Sequence, residues 1–200
     1  MDSIYTPEEL RALGFADFGS NVCIDRTCRF FGLANISLGS NVRIDAYTII
    51  SAGSKGVKIG SYVHISVFAS ILGNGGVVIE DFCGLSARVS IFSANDDYCS
   101  GYLTNPTVAD CYRHVTTLPV VVRKHAVVGA GSIILPGVTI GLAASVGALT
   151  LVKKDVPDFE IVAGNPMRTL GKRDSVILEN EARFMASLSH SQPRESKQST

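Results

Sequence analysis

The chain has 200 residues, of which 46% are hydrophobic and 18% charged, and its 18 basic side chains balance its 18 acidic ones. This length fits one domain with a continuous core, and the neutral balance excludes a broad basic surface for nucleic acid or for an acidic membrane. No apolar run approaches the roughly 20 residues of a membrane helix. The acidic start MDSIYTPEEL lacks a signal-peptide core, so we expect a cytoplasmic protein without membrane insertion.

The cysteines give no sign of a cross-linked fold or a metal site. Their number is odd and no two have CxxC spacing, which argues against a disulfide framework or a zinc ribbon. Buried free thiols are expected instead. The five are Cys23, Cys28, Cys83, Cys99 and Cys111.

The N-terminal segment, residues 1–17, is predicted to cap the open bottom of the fold that follows. Residues 6–13, TPEELRAL, fit a short helix. Thr6 is placed as its N-cap, Pro7 lies in its first turn, and Glu9 completes a capping box.

A six-residue repeat organises residues 18–171. From residue 122 the chain divides into VRKHAV, VGAGSI, ILPGVT, IGLAAS, VGALTL and VKKDVP. Upstream, aliphatic residues keep the spacing at 38, 44 and 50, then 59, 65 and 71, then 79, 85 and 91. A period of six indicates short strands joined by tight turns, three strands to a coil. The sequence therefore predicts an all-β solenoid in which first and fifth positions face inward and Gly, Asn and Asp form the turns.

Two segments depart from the repeat. Residues 94–119, ANDDYCSGYLTNPTVADCYRHVTTLP, are polar and aromatic and are predicted to form a protruding loop, which in a compact domain is more often functional than idle. The second is the C-terminal region, residues 172–200. It is predicted to hold a helix at 172–188, on the top or side of the solenoid, and a disordered tail.

These blocks resemble the hexapeptide repeats of the left-handed β-helix acyltransferases. The runs VVGAGSIILPGVTIGLAASVGALTLVKKDVP and IVAGNPMR are particularly similar to the sugar O-acetyltransferases of that superfamily, including the galactoside and maltose acetyltransferases. The resemblance implies a left-handed parallel β-helix over about residues 18–171 and a homotrimer. It also implies that acetyl-CoA and an acceptor meet between subunits, so that an acetyl group passes to a hydroxyl of a sugar or surface-polysaccharide unit without a metal.

The resemblance also implies which residues meet the coenzyme. Ala130 and Ala148 match positions along which the pantetheine arm lies in relatives, where side chains must be small. Lys153 and Lys154 correspond to a family segment near the adenosine end, and Arg168 of GNPMR can approach a phosphate. The alternative interpretation is that these three cations form a solvated rim.

Attack of a hydroxyl on a thioester needs a general base, for which histidine is the usual choice. Galactoside-type relatives carry the catalytic histidine just after the fourth coil, but the matching segment here, IFSANDD, has none. His64 is the first choice for the base because strand alternation points it outward, one coil below that position. His125, at a turn expected to be exposed, is the second choice, ahead of His114 in the loop and His190 in the tail.

The acceptor site is predicted around the loop. Asn74 matches an acidic acceptor-contacting position in relatives, and Asn95 and Asp96 of the loop suit sugar hydroxyls. The base needs an acidic orienting partner, for which Asp81, Asp96 and Asp97 stay open.

Three other functions compete with O-acetyl transfer. An N-acetyltransferase of an amino sugar or nucleotide sugar differs only in the acceptor atom, which loop composition does not identify. A γ-type carbonic anhydrase needs clustered histidines for zinc, a pairing that His64, His114 and His125 lack in sequence. A solenoid used only for binding has no reason to combine VGAG, VGAL and AGNPMR with a long polar loop.

Overall fold

The computed structural model describes residues 3–190, and they form a three-sided prism of stacked β-coils. Each coil adds one short strand to each of three parallel sheets, called below the first, second and third faces. The predicted all-β solenoid is therefore confirmed. None of the helices within 3–190 is long and apolar enough to cross a bilayer.

The strands succeed one another around the prism. The first face contains β1 Asp17–Phe18, β4 Ile36–Leu38, β7 Val57–Ile59, β10 Val77–Ile79, β15 Val120–Val122 and β18 Thr139–Ile140. The second contains β2 Cys23–Ile24, β5 Arg43–Ile44, β8 His64–Ile65, β11 Gly84–Leu85, β16 Val127–Val128, β19 Ser145–Val146, β21 Glu160–Ala163 and β22 Arg168–Lys172. The third contains β3 Arg29–Phe31, β6 Ile49–Ala52, β9 Ser70–Gly73, β12 Ser90–Phe92, β17 Ile133–Ile134 and β20 Leu151–Val152.

The aliphatic first positions fill the interior of the prism, as predicted. On the second face Ile44, Ile65 and Leu85 are in register on successive strands and at most 1% exposed. Small fifth-position residues such as Val63 and Ala126 are equally buried beside them. Burying each large aliphatic side chain contributes about 1.5–3 kcal/mol, so the stacked columns supply the main driving force for folding.

The turns between the first and second faces form a hydrogen-bonded ladder. The residues at this vertex with φ between 53° and 62° are Asn21, Asn41, Tyr62, Phe82, His125, Ala143 and Phe159. Backbone N–H groups there bond to the coil below, as Tyr62 N does to Ser40 O and Phe82 N to Ser61 O, both at 2.9 Å. The sequence predicted Gly, Asn and Asp at such turns, but aromatic residues also occupy them. Hydrogen bonds and the stacked rings of Tyr62 and Phe82, 4.7 Å apart, offset a strain of about 1–3 kcal/mol per residue.

The N-terminal helix α1 covers the bottom of the prism and spans Pro7–Leu13. The predicted capping box is present, because Thr6 Oγ1 accepts from Glu9 N and the Glu9 carboxylate accepts from Thr6 N. Arg26 binds the same carboxylate through two nitrogens at 2.8 and 2.6 Å. Just before the helix, Ile4 forms an antiparallel bridge with Asp25 at the lower edge of the second face.

The C-terminal helix α2 spans Val176–His190, so its predicted start at 172 is wrong. The reason is that β22, Arg168–Lys172, turns back and pairs antiparallel with β21, Glu160–Ala163, at the upper edge of the second face. Asp174 Oδ1 then accepts from Val176 N at 2.9 Å where the helix begins. The rest of the predicted tail, residues 191–200, lies outside the described residues.

The predicted loop protrudes as an antiparallel hairpin. Its strands are β13 Ala94–Asp96 and β14 Val115–Thr117, and a 3₁₀ turn at Asp110–Tyr112 precedes the second. Two cysteines of this loop, Cys99 and Cys111, are exposed, so the expectation of buried thiols is wrong for them, whereas Cys28 and Cys83 are buried.

Candidate active site

His64 lies on the outer surface of the second face, where strand alternation predicted it. Its side chain is 52% exposed, and its Nε2 lies 2.8 Å from Asp45 Oδ2. The contact follows from strand register, because His64 pairs with Arg43 on the coil below and Asp45 stands two residues further along. Arg43 Nε binds the other oxygen of the same carboxylate at 2.7 Å.

Asp45, which was not among the predicted orienting residues, is the carboxylate that contacts His64. Partial burial acts to raise its pKa, but hydrogen bonds from Arg43 and His64 outweigh burial, and the net pKa is lowered. An ionised carboxylate only accepts, so His64 Nε2 carries the hydrogen in this contact. When the imidazole is neutral, this arrangement leaves the lone pair of Nδ1 available, which a general base needs.

The three predicted orienting residues have other hydrogen-bond partners. Asp96 Oδ2 accepts from Asn105 N at 3.4 Å. Asp81 Oδ1 accepts from Ser61 N at 2.6 Å, and Asp97 Oδ1 accepts from the backbone of Cys99 and Ser100. Those two backbone bonds lower the pKa of Asp97 to about 2. Asp45 is therefore the carboxylate in hydrogen-bonding contact with His64.

A cleft of about 260 Å³ opens beside His64. The residue in register with His64 on the next coil is Gly84, so no side chain covers the imidazole from that side. A Cβ built at Gly84 would come no closer than 3.7 Å to another group, the Cγ2 of Val127. The cleft is lined by His64, Ser66, Gly84, Leu85, Ser86, Ala87 and Val127.

A second cleft of about 660 Å³ lies between the third face and the hairpin. It brings together the three predicted acceptor residues, Asn74, Asn95 and Asp96. Asn95 and Asp96 are held by β13, which pairs with β14, and Asn74 follows β9. The remaining lining residues are Leu72, Ala94, Pro106, Asp110, Arg113, Val115 and Thr117. Arg113 was not predicted as a site residue. The sequence does show an acidic residue three positions earlier, Asp110, with which it forms an ion pair.

The two clefts have no lining residue in common within the described chain. His64 stands on the second face, whereas Asn74 and the hairpin stand at the far edge of the third. Within a single chain, the predicted base and the predicted acceptor residues therefore lie in different clefts.

The predicted coenzyme residues Ala130 and Ala148 occupy equivalent, exposed turns of successive coils. Leu149 N donates to Ala130 O at 2.8 Å, which ties the two turns together. The AGNPMR segment joins them, because Gly164 N donates to Thr150 Oγ1 at 3.0 Å. The motifs VGAG, VGAL and AGNPMR are thus linked to one another by hydrogen bonds.

The predicted cations are exposed. Lys153 and Lys154 follow β20 at a turn, and Arg168 begins β22. None of the three has an ion pair with another residue of 3–190.

His125 occupies a turn, as predicted, but its predicted exposure is wrong. Its side chain is 5% exposed because α2 covers it, with Glu181 Oε2 at 2.7 Å from Nε2. The Phe82 ring stacks on it at 5.2 Å, and Arg173 donates to its carbonyl at 2.7 Å. Lys124 binds the second Glu181 oxygen at 2.6 Å. Docking of a helix is a tertiary event that the turn sequence did not reveal.

The other two histidines, His114 and His190, lie apart from His64 and His125. His114 Nδ1 lies 3.5 Å from Asp97 Oδ2, and its ring is 5.4 Å from that of Tyr102. His64, His114 and His125 therefore each face a different carboxylate within one chain. Over residues 3–190, no group of three or more His, Cys, Asp or Glu side chains is placed to hold a metal ion. His190 ends α2, and its side chain lies outside the description.

The chain is similar over nearly its whole length to known acyltransferases. It is 41% identical over 179 residues to a dTDP-4-amino-4,6-dideoxy-D-glucose acyltransferase of Escherichia coli. The aligned residues make up 90% of this chain and 93% of the relative. The chain belongs to the hexapeptide-repeat acyltransferase family. No family model matches it.

A solved structure agrees with this assignment. AntD, an N-acyltransferase from Bacillus cereus in complex with dTDP and 3-hydroxybutyryl-CoA, is 38% identical to this acyltransferase. The two superpose with a TM-score of 0.91 over 94% of this chain and 100% of that one. The predicted left-handed β-helix and the predicted acyltransferase class are confirmed.

Similarity to an O-acetyltransferase is weaker. A galactoside O-acetyltransferase of Lactococcus lactis is 26% identical over 131 residues, which are 64% of this acyltransferase and 59% of the relative. The predicted family is thus the same, but the two relatives with higher identity are a dTDP-amino-sugar acyltransferase and an N-acyltransferase.

Proposed function

We propose that this acyltransferase moves an acyl group from acyl-coenzyme A to the amino group of a dTDP-linked amino sugar. The observation that carries the proposal is similarity over nearly the whole chain to a dTDP-4-amino-4,6-dideoxy-D-glucose acyltransferase, at 41% identity, and to the N-acyltransferase AntD, at 38% identity. Variants of one of them are in complex with dTDP-4-amino-4,6-dideoxyglucose and coenzyme A. This favours the amine over the hydroxyl acceptor that the sequence resemblance put first.

The acceptor cleft supports an amine. Asp96 stands in it beside Asn74 and Asn95, so a carboxylate is available to an acceptor ammonium. The two amides supply donors and acceptors for the sugar hydroxyls. A hydroxyl acceptor would gain less from the carboxylate, because it brings no charge.

The proposed reaction is direct attack in a ternary complex. An acceptor that binds as the ammonium first loses one proton to solvent. The neutral amine then attacks the thioester carbonyl, a tetrahedral intermediate forms, and the C–S bond breaks as the amide carbonyl re-forms. The leaving thiolate takes up the proton that the base has removed from the nitrogen. His64 takes the proton that the nitrogen loses, with Asp45 2.8 Å away to fix the tautomer and stabilise the imidazolium. A backbone N–H of a neighbouring coil would stabilise the oxyanion.

Two copies of the chain complete the proposed site. Because His64 and the hairpin cleft lie on different sides of one prism, a neighbouring copy has to bring its hairpin to the His64 cleft. The homotrimer expected from sequence provides such a boundary three times. Asn74, Asn95 and Asp96 of one copy would then hold the acceptor against His64 of the next.

Coenzyme A is proposed to lie along the upper coils. The joined turns at Ala130 and Ala148 leave room for the pantetheine arm. Lys153, Lys154 and Arg168, which are exposed, are available to its phosphates. The cytoplasmic location expected from sequence stays a prediction.

The test compares matched acceptors. The full chain is incubated with acetyl-CoA and either dTDP-4-amino-4,6-dideoxyglucose or dTDP-6-deoxyglucose, which has a hydroxyl at the same carbon, and thiol release is followed. We expect turnover of the amine and a product that survives mild alkali as an amide. Faster turnover of the hydroxyl acceptor, with an alkali-labile ester, would restore O-acetyl transfer. Repeating the assay with 3-hydroxybutyryl-CoA compares acyl chains.

A further inference from the structure

Arg113 is an enclosed cation in the hairpin cleft. Its side chain is 17% exposed, and within residues 3–190 it has one charged partner, Asp110. Its Nε is buried and has no hydrogen-bond partner among the described atoms. Most of its donor capacity is therefore not used inside the chain.

Asp110 compensates this charge poorly. It stands three residues away and is 91% exposed, so water screens the pair. A guanidinium taken out of water needs a close, well-paired anion to offset its desolvation. The partners within the chain do not provide one.

The same cleft contains the groups proposed to bind the acceptor sugar. Arg113 lines it together with Asn74, Asn95 and Asp96. The cleft has both a carboxylate and a guanidinium within about 660 Å³. A sugar with an amine on one carbon and a diphosphate on another presents the complementary charges.

We infer that Arg113 binds the diphosphate of the nucleotide-linked acceptor and so selects nucleotide sugars over free amino sugars. This rests on the proposed function, and it adds a specificity-determining residue to the acceptor site. A guanidinium forms paired hydrogen bonds with phosphate oxygens, which lysine cannot reproduce. The diphosphate displaces Asp110 from Arg113 or shares the guanidinium with it, while Asp96 faces the amine.

The experiment separates binding of the diphosphate from binding of the sugar. Arg113→Met removes the charge and keeps much of the volume, Arg113→Lys keeps the charge without the planar fork, and Arg11→Ala is the matched control on α1. Calorimetric titration with dTDP measures the nucleotide alone. Kinetics with dTDP-4-amino-4,6-dideoxyglucose and with the methyl glycoside of 4-amino-4,6-dideoxyglucose measure acceptors with and without the diphosphate.

We expect Arg113→Met to weaken dTDP binding and raise KM for the nucleotide sugar by about 10- to 100-fold, the size of a lost charge-assisted contact. Arg113→Lys should recover only part of this loss. KM for the methyl glycoside and the melting temperature should change little, and Arg11→Ala should match the wild type.

Three results would overturn the inference. Unchanged dTDP affinity in Arg113→Met, with wild-type turnover of the nucleotide sugar, would refute it and leave the proposed function standing. An equal loss for both acceptors would reduce Arg113 to a structural role. Failure of the wild type to bind dTDP or to acylate any amino sugar would refute the proposed function as well.

Discussion

His64 and Asp45 form a hydrogen-bonded pair, Nε2 to Oδ2 at 2.8 Å, although 19 residues separate them in sequence. One coil of the prism spans that separation, so the pair exists only when adjacent coils are in register. This relationship gives the proposed base a fixed orientation and leads to the first prediction.

Asp45→Asn should lower kcat roughly tenfold or more with little change in KM, because the amide no longer fixes the imidazole tautomer or stabilises its cation. His64→Ala should cost about 100-fold. Steady-state kinetics test both, with Asp17→Asn, an exposed carboxylate of β1, as the control. If His64→Ala kept native turnover while His125→Ala lost it, the ranking of the two histidines would be reversed.

Gly84→Ala should fold normally and still lose activity. The added Cβ meets nothing closer than 3.7 Å, so the free energy of unfolding should change by less than about 1 kcal/mol. It would narrow the cleft beside His64, and we expect kcat/KM to fall several-fold. Gly129→Ala is the contrasting variant, because its Cβ would lie 2.5 Å from Ala148 N, and it should destabilise the fold. Native activity in a folded Gly84→Ala protein would argue against catalysis in this cleft.

His125→Ala should mainly reduce stability. The substitution removes a buried ring that stacks on Phe82 and the hydrogen bond that ties this ring to Glu181 of α2. A loss of about 2–4 kcal/mol in urea unfolding is expected, with KM for both substrates unchanged. His114→Ala, at an exposed histidine, is the control. Native stability combined with lost turnover would assign His125 to the chemistry.

The attachment of α1 should weaken in acid. Hydrogen bonds from Arg26, followed by the backbone bond from Thr6, lower the pKa of Glu9 from 4.5 to about 2. A depressed folded-state pKa means that the stabilisation is fully present above pH 4.5 and is lost as pH falls toward 2. Chemical denaturation between these values should show a steeper loss of stability for wild type than for Glu9→Gln. Parallel pH profiles would show that the pair contributes nothing.

The repeat was predictable because each hexad encodes its own strand and turn. Ile44 and Ile65 occupy the same place in successive coils, and that spacing already set Asp45 beside His64. The predicted partners Asp81, Asp96 and Asp97 all follow His64 in sequence, whereas Asp45 lies on the coil below it. Burial of His125 was beyond sequence reasoning, because it depends on where α2 docks. Arg113 was missed because its enclosure follows from the folding of the hairpin.

At both ends of the second face, the last segment pairs antiparallel to the strands of that face. Ile4 bridges Asp25 below, and β22 pairs with β21 above. A parallel sheet that grows by one strand per coil otherwise ends in unpaired N–H and C=O groups, to which another molecule could add. Reversing the chain direction at each end makes these terminal strands poor templates for a further parallel coil. On this face, the reversed segments at both ends thus oppose end-to-end addition of further parallel coils.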